Sequence, residues 1–296
     1  ARWANILSFS IHKPSKIRYS YRMKTKPLTF LLSLTFLFLF SGFVYGEESE
    51  VKREYWHSGG FKKETHFRDG KKNGLETMWY EPGTQWFEKN RKREETNYKD
   101  GKKDGASLLW DKDGRKQQGA YYANGKLDGP LIIWYENGKK RYELNYKDGK
   151  LDGPATEWDK YGNKEKEDLY RSDSNERVTT YFYRSGEMAA KIHYRHEKKE
   201  GLDISWYQGG KKTHVKNFRD GLQHGLSTYY YPSGKKRYEA SFENGKREGV
   251  VTEWYENGQK KYEINFKHGK RNGPMTKWSE DGKKTFQGNF VDENEE

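Results

Sequence analysis

The stretch WYENGKKRYELNYKDGKLDGPATE, Trp134 to Glu157, decides the fold. Its centre alternates. Tyr142, Leu144 and Tyr146 fall on one side, and Arg141, Glu143 and Asn145 on the other. Period two marks a strand with one face covered. Asn137-Gly138 precedes this strand and Asp148-Gly149 follows it. Both pairs tolerate positive φ, so a turn bounds each end. The 24 residues therefore hold two strands and two turns. A two-residue Asn-Gly loop would set the rings of Trp134 and Tyr146 on opposite faces. A three-residue loop, Glu136-Asn137-Gly138 with Gly138 left-handed, would set them on one face, and shared burial favours it.

Outward from this stretch the pattern repeats. The leading ring recurs as Tyr55, Trp79, Trp110, Trp134, Trp158, Phe182, Trp206, Tyr230, Trp254 and Trp278, 24 residues apart except for a step of 31 between Trp79 and Trp110. Seven extra residues within an insertion at 84–96 account for that step. The fifth position of each unit is glycine, as at Gly138, Gly234 and Gly258. A second ring recurs from Phe67 and Tyr98 through Tyr146 to Phe266 and Phe290, and a Gly-x-x-x-Gly pair follows it, as in Gly149/Gly153 and Gly269/Gly273. Residues 163–200 form two degenerate units, a candidate bend. Asp173 and Arg177 replace the paired glycines in one, and Glu197 replaces the first glycine in the other. The expected fold is all-β: an elongated antiparallel β-meander or solenoid of about ten 24-residue two-stranded repeats over residues 55–290. Each unit leans on its neighbours. Trp79, Trp110, Trp134, Trp158, Trp206, Trp254 and Trp278 are its expected structural ladder of stacked rings.

Composition agrees. Hydrophobic residues make up 32% of the chain and aromatics 16%, so rings supply half of the apolar material. That suits thin layers better than a thick core. The net charge is +13, but residues 1–46 hold seven Lys/Arg and no Asp/Glu. The rest is therefore 50 basic against 44 acidic residues, or +6. Such a mixed-sign surface is that of a solvated protein, and a nucleic-acid partner is not expected. The chain has no cysteine, which excludes disulfides, thiolate metal sites and cysteine nucleophiles.

Met23 opens an export-signal pattern. Lys24 and Lys26 lead into the apolar run Leu28–Phe40, and Val44 and Gly46 occupy the small-residue positions of a cleavage site. The expected organisation is an upstream extension without pattern at 1–22, a signal peptide at 23–46, a linker at 47–54, the repeats at 55–290 and an acidic tail at 291–296. Cleavage after Gly46 would give a secreted or periplasmic protein. Retention of Leu28–Tyr45 as a signal anchor is the alternative.

The runs Tyr146-Lys-Asp-Gly-Lys-Leu-Asp-Gly-Pro before Trp158 and Phe266-Lys-His-Gly-Lys-Arg-Asn-Gly-Pro before Trp278 resemble the MORN-variant repeat. The resemblance covers residues 55–290. It implies an elongated β-sheet serving as a scaffold or as a protein- or lipid-contact surface, and brings no catalytic residues. Many bacterial proteins of this kind carry the label of antitoxin of the YwqK type, a cytoplasmic role at odds with an export signal.

No constellation points to catalysis, a cofactor or a metal. His193 and His196 lie three apart on a strand pattern and so diverge. The recurring glycines precede strands rather than helices and are turn residues, not a phosphate cradle. The second tyrosine column, Tyr80, Tyr135, Tyr183, Tyr207, Tyr231 and Tyr255, offers a candidate partner-contact strip opposite the covered face. Its competing role is to pack over the neighbouring turn glycines. Expected partners follow: a protein along the sheet first, then a glycan or cell wall through the aromatic ladder, then an anionic membrane through Lys71, Lys72, Lys102 and Lys103.

Overall fold

The computed structural model describes residues 48–82 and 90–293. The expected extension, signal and anchor segments and the last acidic residues lie outside them. The described residues are all-β and form one open antiparallel sheet. Each strand pairs with the next in sequence, from Ser49–Tyr55 at one edge to Lys284–Glu293 at the other. Two strands per unit recur as expected, for example Lys140–Lys147 followed by Lys150–Trp158.

The loop between units has the anticipated three residues. The Tyr135 N–H donates to the Lys139 carbonyl, and the Gly138 N–H returns to the Tyr135 carbonyl, both at 2.9 Å. Gly138 has φ +79°. The turn is thus a type I turn closed by a left-handed glycine. The expected consequence fails, however. Trp134 pairs with Lys140 but Ile133 pairs with Tyr142, so Arg141 is an extra residue that slips the register by one. That bulge flips every later side chain to the other face. The Trp134 and Tyr146 columns therefore lie on opposite faces. The same slip recurs at Trp206, Tyr230, Trp254 and Trp278.

The face carrying the second rings holds the core. Its central row runs through Thr65, Glu76, Thr96 and Ser107 at one end and Ala240, Val251, Ile264 and Met275 at the other, all buried. Two flanking rows of larger side chains lean over these small residues. Toward the C-terminal edge Phe266 joins the buried cluster, and Tyr238, Phe242, Tyr262 and Phe290 pack against it. Fully burying one aliphatic such as Val251 or Ile264 stabilises by about 1.5–3 kcal/mol.

In the regular units the turn between strands is a two-residue pair ending in glycine, as with Asp148 at φ +50° and Gly149 at φ +82°. The second glycine of the pair serves a different purpose. Gly129 has φ +116°, and a Cβ there would stand 3.2 Å from Tyr121 Cβ. It lets a bulge form under a crowded cross-strand neighbour.

The step of 31 residues is localised. Tyr80 N–H donates to the Arg91 carbonyl as Tyr135 does to Lys139. The next strand begins at Lys92. Residues 91–96 are therefore regular, and the insertion lies between Tyr80 and Arg91, with 83–89 outside the described residues.

The degenerate units stay in the sheet. Regular units spend two residues in the glycine bulge, so Leu144 pairs with Ala155 while Tyr146 pairs with Leu151. In the unit of Asp173 and Arg177 the pairing of Asp168 with Thr179 and of Tyr170 with Arg177 is unbroken. Four residues, 172–175, make the turn instead. The two residues have moved from bulge to turn, which is why the phase of 24 survives without the glycines.

Candidate interaction surface

At the opening edge the first ring column stacks ring on ring, Tyr55 on Phe61 at 5.2 Å and Phe61 on Trp79 at 5.5 Å, but further along cations stand between the rings. Lys140 Nζ lies 5.8 Å from the Trp158 ring centroid, and Lys164, Lys236 and Lys260 sit likewise over Phe182, Trp254 and Trp278. Because units are two strands apart, the position between successive rings belongs to the intervening strand, and lysine fills it except where Phe61 and Met188 stand opposite Tyr55 and Phe182. The same lysines pair with carboxylates three residues on, Lys140 with Glu143 at 2.7 Å and Lys236 with Glu239 at 2.6 Å. This face is a lattice of ring, ammonium and carboxylate, with Trp79, Trp110, Trp134, Trp158, Trp206, Trp254 and Trp278 all half-buried in it. Exposed contacts of this kind contribute about 0.5–1 kcal/mol each.

On the core face the second rings are interleaved in the same way. Lys72, Lys103, Lys199, Arg247 and Arg271 lie over Tyr98, Tyr122, Phe218, Phe266 and Phe290. Burial, with Glu76 and Glu94 nearby, pushes the Tyr98 hydroxyl up to about 12.

The second tyrosine column joins neighbouring units. Each hydroxyl donates to the backbone carbonyl of the leading ring residue one unit on: Tyr80 to Trp110 at 2.8 Å, Tyr135 to Trp158 at 2.9 Å, Tyr183 to Trp206 at 2.6 Å, Tyr207 to Tyr230 at 3.1 Å, Tyr231 to Trp254 at 2.7 Å and Tyr255 to Trp278 at 3.0 Å. All six are half-buried. Arg141 covers both the Tyr135 and the Tyr142 rings, which puts the column at the rim of the core face rather than opposite it. At the other rim the Gly149 N–H donates to the Leu127 carbonyl, and Asp128 Oδ2 accepts from the Asp148 N–H at 3.2 Å. Both ends of a unit are thereby tied to its neighbour. The sequence marked these tyrosines by column but carried no sign of their carbonyl partners.

The core face opens in one place into a trough of about 710 Å³. Tyr229, Tyr238 and Phe242 supply its rings and Arg237, Arg247 and Glu253 its charges, while the turn glycines Gly245 and Gly269 form a rim. Tyr229 and Tyr238 meet edge to face at 5.6 Å, and Arg247 Nε donates to Tyr238 Oη at 3.0 Å. Of these six the sequence marked Phe242 alone, as a member of the second ring column, because the trough needs rows from three successive units.

A smaller cavity of about 270 Å³ lies at the degenerate units. Arg177 lies over Tyr194, 4.3 Å from its centroid, and pairs with Glu197 at 3.0 Å. His196 and Glu197 form the turn with φ +50° and +60°, where the other turns use glycine second. His193 lies mid-strand opposite Val178, and burial holds its imidazole below the ordinary range. Among the described residues no group of three His, Asp or Glu could hold a metal ion.

Three buried carboxylates, Glu76, Asp168 and Asp203, interrupt the central row. Burial raises Glu76, but hydrogen bonds from Lys72, Thr65 and Lys63 outweigh it and hold the carboxyl below its ordinary value. Asp203 is held down in the same way, against burial, by His214 and Lys199.

A family model described as MORN repeat variant matches residues 127–148, 223–244 and 247–268. The starts lie four and one repeat lengths apart, so the matches share the phase of the structural units. Two of the three cover the trough. No curated protein matches the chain. Family matches, phase and single meandering sheet agree: the chain carries MORN-variant repeats, laid out as successive units of one sheet.

Proposed function

We propose that the protein is an exported, non-catalytic scaffold that binds a protein partner across the core face at the trough of residues 223–269. The observation that carries this reading is the trough's lining. Tyr229, Tyr238, Phe242 and Arg247 are the residue types that dominate protein-binding hot spots, and they converge in one concavity. Arg237, Lys246 and Arg247 outnumber Glu253, so the fitting partner segment carries a carboxylate between apolar side chains. Export rests on the Met23–Gly46 pattern. Glycan stacking along the leading rings is the weaker reading, because lysines already cover those rings.

The test places a photo-crosslinking residue at Tyr229 and, on the opposite face, at Trp134, in the producing cell. The expected result is one defined adduct from Tyr229, recovered with the exported protein and lost in Arg247→Ala. Equal adducts from both positions would overturn the reading.

A further inference from the structure

The loops joining successive units share a plan, and two departures from it fall side by side. The plan puts a cation over the ring that follows the leading one. Lys62, Arg141, Arg237 and Lys261 lie over Trp56, Tyr135, Tyr231 and Tyr255, at 5.3, 5.6, 5.9 and 6.0 Å from the ring centroids. Each of these cations is the bulge residue after its loop. At Tyr183 and Tyr207 the bulge residues are Ala189 and Thr213, which supply no such cover.

The second departure lies in the loop itself. Gly209 has φ +91°, so Gln208 and Gly209 make a type II turn. Glu187 Oε2 accepts from the Gly209 N–H at 3.1 Å. In other units the residue at this place reaches the next loop: Asn137 Nδ2 donates to the Lys160 carbonyl and Asn257 Nδ2 to the Glu280 carbonyl, each at 2.7 Å. Glycine builds no such bridge, and a Cβ at Gly209 would meet nothing within 4 Å. A cleft of about 600 Å³ results, lined by Tyr183, Tyr207, Gln208, Gly209, Lys211 and Pro232. None of these residues lines the trough. The two hydroxyls are bound to the Trp206 and Tyr230 carbonyls, which keeps the rings from swinging in to fill the space.

The charge around the cleft is one-sided. Neither 208–212 nor 232–237 contains a carboxylate, whereas the loops at 111–115, 136–139, 159–163, 184–187, 256–259 and 279–283 each do. Lys140, Lys236 and Lys260 pair with a glutamate three residues on; for Lys212 that place is Val215. Lys211 Nζ donates to a neutral acceptor, the Ser233 carbonyl, at 3.0 Å. Lys211, Lys212 and Lys235 are all exposed.

We propose that this cleft binds an extended, proline-bearing segment of another protein in the polyproline II conformation, with acidic residues beside its prolines. Tyr183 and Tyr207 are equivalent residues two strands apart, which is about 10 Å. Polyproline II advances ~3.1 Å per residue with three residues per turn, so prolines three apart lie about 9 Å apart on one face. One proline rests on each ring, where other units hold their own cation. A β-strand repeats its face about every 7 Å and falls out of step. Aromatic grooves recognise such segments because the backbone is already ordered. Carboxylates at the intervening positions meet Lys211, Lys212 and Lys235. The same lysines repel a cationic segment, which would otherwise suit the uncovered rings.

The experiment uses the full chain and a fluorescent peptide of repeating Pro-Glu-Gln, read by anisotropy. Saturable binding is expected. Ala189→Arg with Thr213→Arg gives both rings the cover found in neighbouring units, a change the fold already accommodates there, and should weaken binding about tenfold or more. Lys212→Glu with Lys235→Glu should weaken this peptide strongly and a Pro-Gln-Gln peptide much less. Arg247→Ala alters the trough and should leave the affinity unchanged, so the result is independent of what the trough binds. Circular dichroism checks that each variant keeps the sheet. Absence of binding to the native chain would overturn the proposal. So would equal binding of the same residues with the prolines gathered at one end, indifference to the arginine pair, or preference for a Pro-Arg-Gln peptide or a neutral chito-oligosaccharide.

Discussion

Replacing Tyr207, Tyr231 and Tyr255 together by Phe removes three hydroxyls and leaves three rings in place. Their bonds to the carbonyls of Tyr230, Trp254 and Trp278 measure 3.1, 2.7 and 3.0 Å. A hydrogen bond of this kind contributes about 0.5–1.5 kcal/mol net. Half-burial lets water reach some of the orphaned carbonyls, which keeps the loss toward the lower part of that range. The expected total is about 2–3 kcal/mol. The loss concerns the interfaces between units, because each bond spans one. In a repeat array, stability is a sum of unit terms and nearest-neighbour terms. Weakening the neighbour terms should therefore broaden the urea transition and lower its slope, as well as shift its midpoint. The matched triple change to Ala removes ring packing as well and should be more destabilising. Far-ultraviolet circular dichroism in urea reads both. If the Phe triple unfolds within about 0.5 kcal/mol of native, with an unchanged slope, the hydroxyls do not clamp the units and the reasoning fails. If partner capture is lost in the stable Phe triple, the tyrosine column is a contact strip after all.

Gly129→Ala puts a side chain at φ +116° and 3.2 Å from Tyr121 Cβ, and should cost about 1–3 kcal/mol by thermal unfolding, whereas Gly201→Ala meets no neighbour within 4 Å and should cost less. In the strained turn, Glu197→Gly should relieve φ +60° and raise stability by up to about 1 kcal/mol, although it gives up the pair with Arg177; a loss above ~1 kcal/mol would show that pair to dominate. Glu76 and Asp203 are held below their ordinary values of 4.5 and 3.8, so the stabilisation they provide is present above those values and lost as pH falls through the lower folded values. Hydrogen exchange near pH 3 should thus open the strands of Glu76 and Asp203 before the apolar row at Val251 and Ile264; uniform opening would contradict this.

The spacing of rings and glycines made the units, their two strands and the three-residue loop legible, because those features are local. Gly138 needs positive φ whatever its neighbours do. The face assignment was not legible in the same way. Arg141 has no distinguishing chemistry as a bulge residue, and the slip is visible only once Ile133 is seen to pair with Tyr142. Lys140 is plain in the repeat, yet its place over Trp158 follows from that same register. The acceptors of the tyrosine hydroxyls are backbone carbonyls, which leave no trace in residue type. The degenerate unit shows the converse: the replacement of its paired glycines by Asp173 and Arg177 was plain, but the compensation by a four-residue turn was a matter of hydrogen-bond pairing.

The central row of the core face shows why the trough lies toward the closing strand. Near the opening strand the row is Thr65, Glu76, Thr96 and Ser107, and its carboxylate needs Lys63, Lys72 and Thr65 to be satisfied. Those cations are thereby committed within the sheet. Toward the closing strand the row is Ala240, Val251, Ile264 and Met275, which demands no polar partners. Arg247 accordingly bridges to Tyr238 and Phe266 above the apolar row, where it borders the trough. An apolar row under aromatic and guanidinium groups is a surface on which a partner's side chains can be desolvated without stranding a buried charge. The polar row has no such freedom. The repeat therefore builds one backbone throughout, and the residue at a single central position decides whether a unit commits its cations within the sheet or leaves an apolar row beneath its rings.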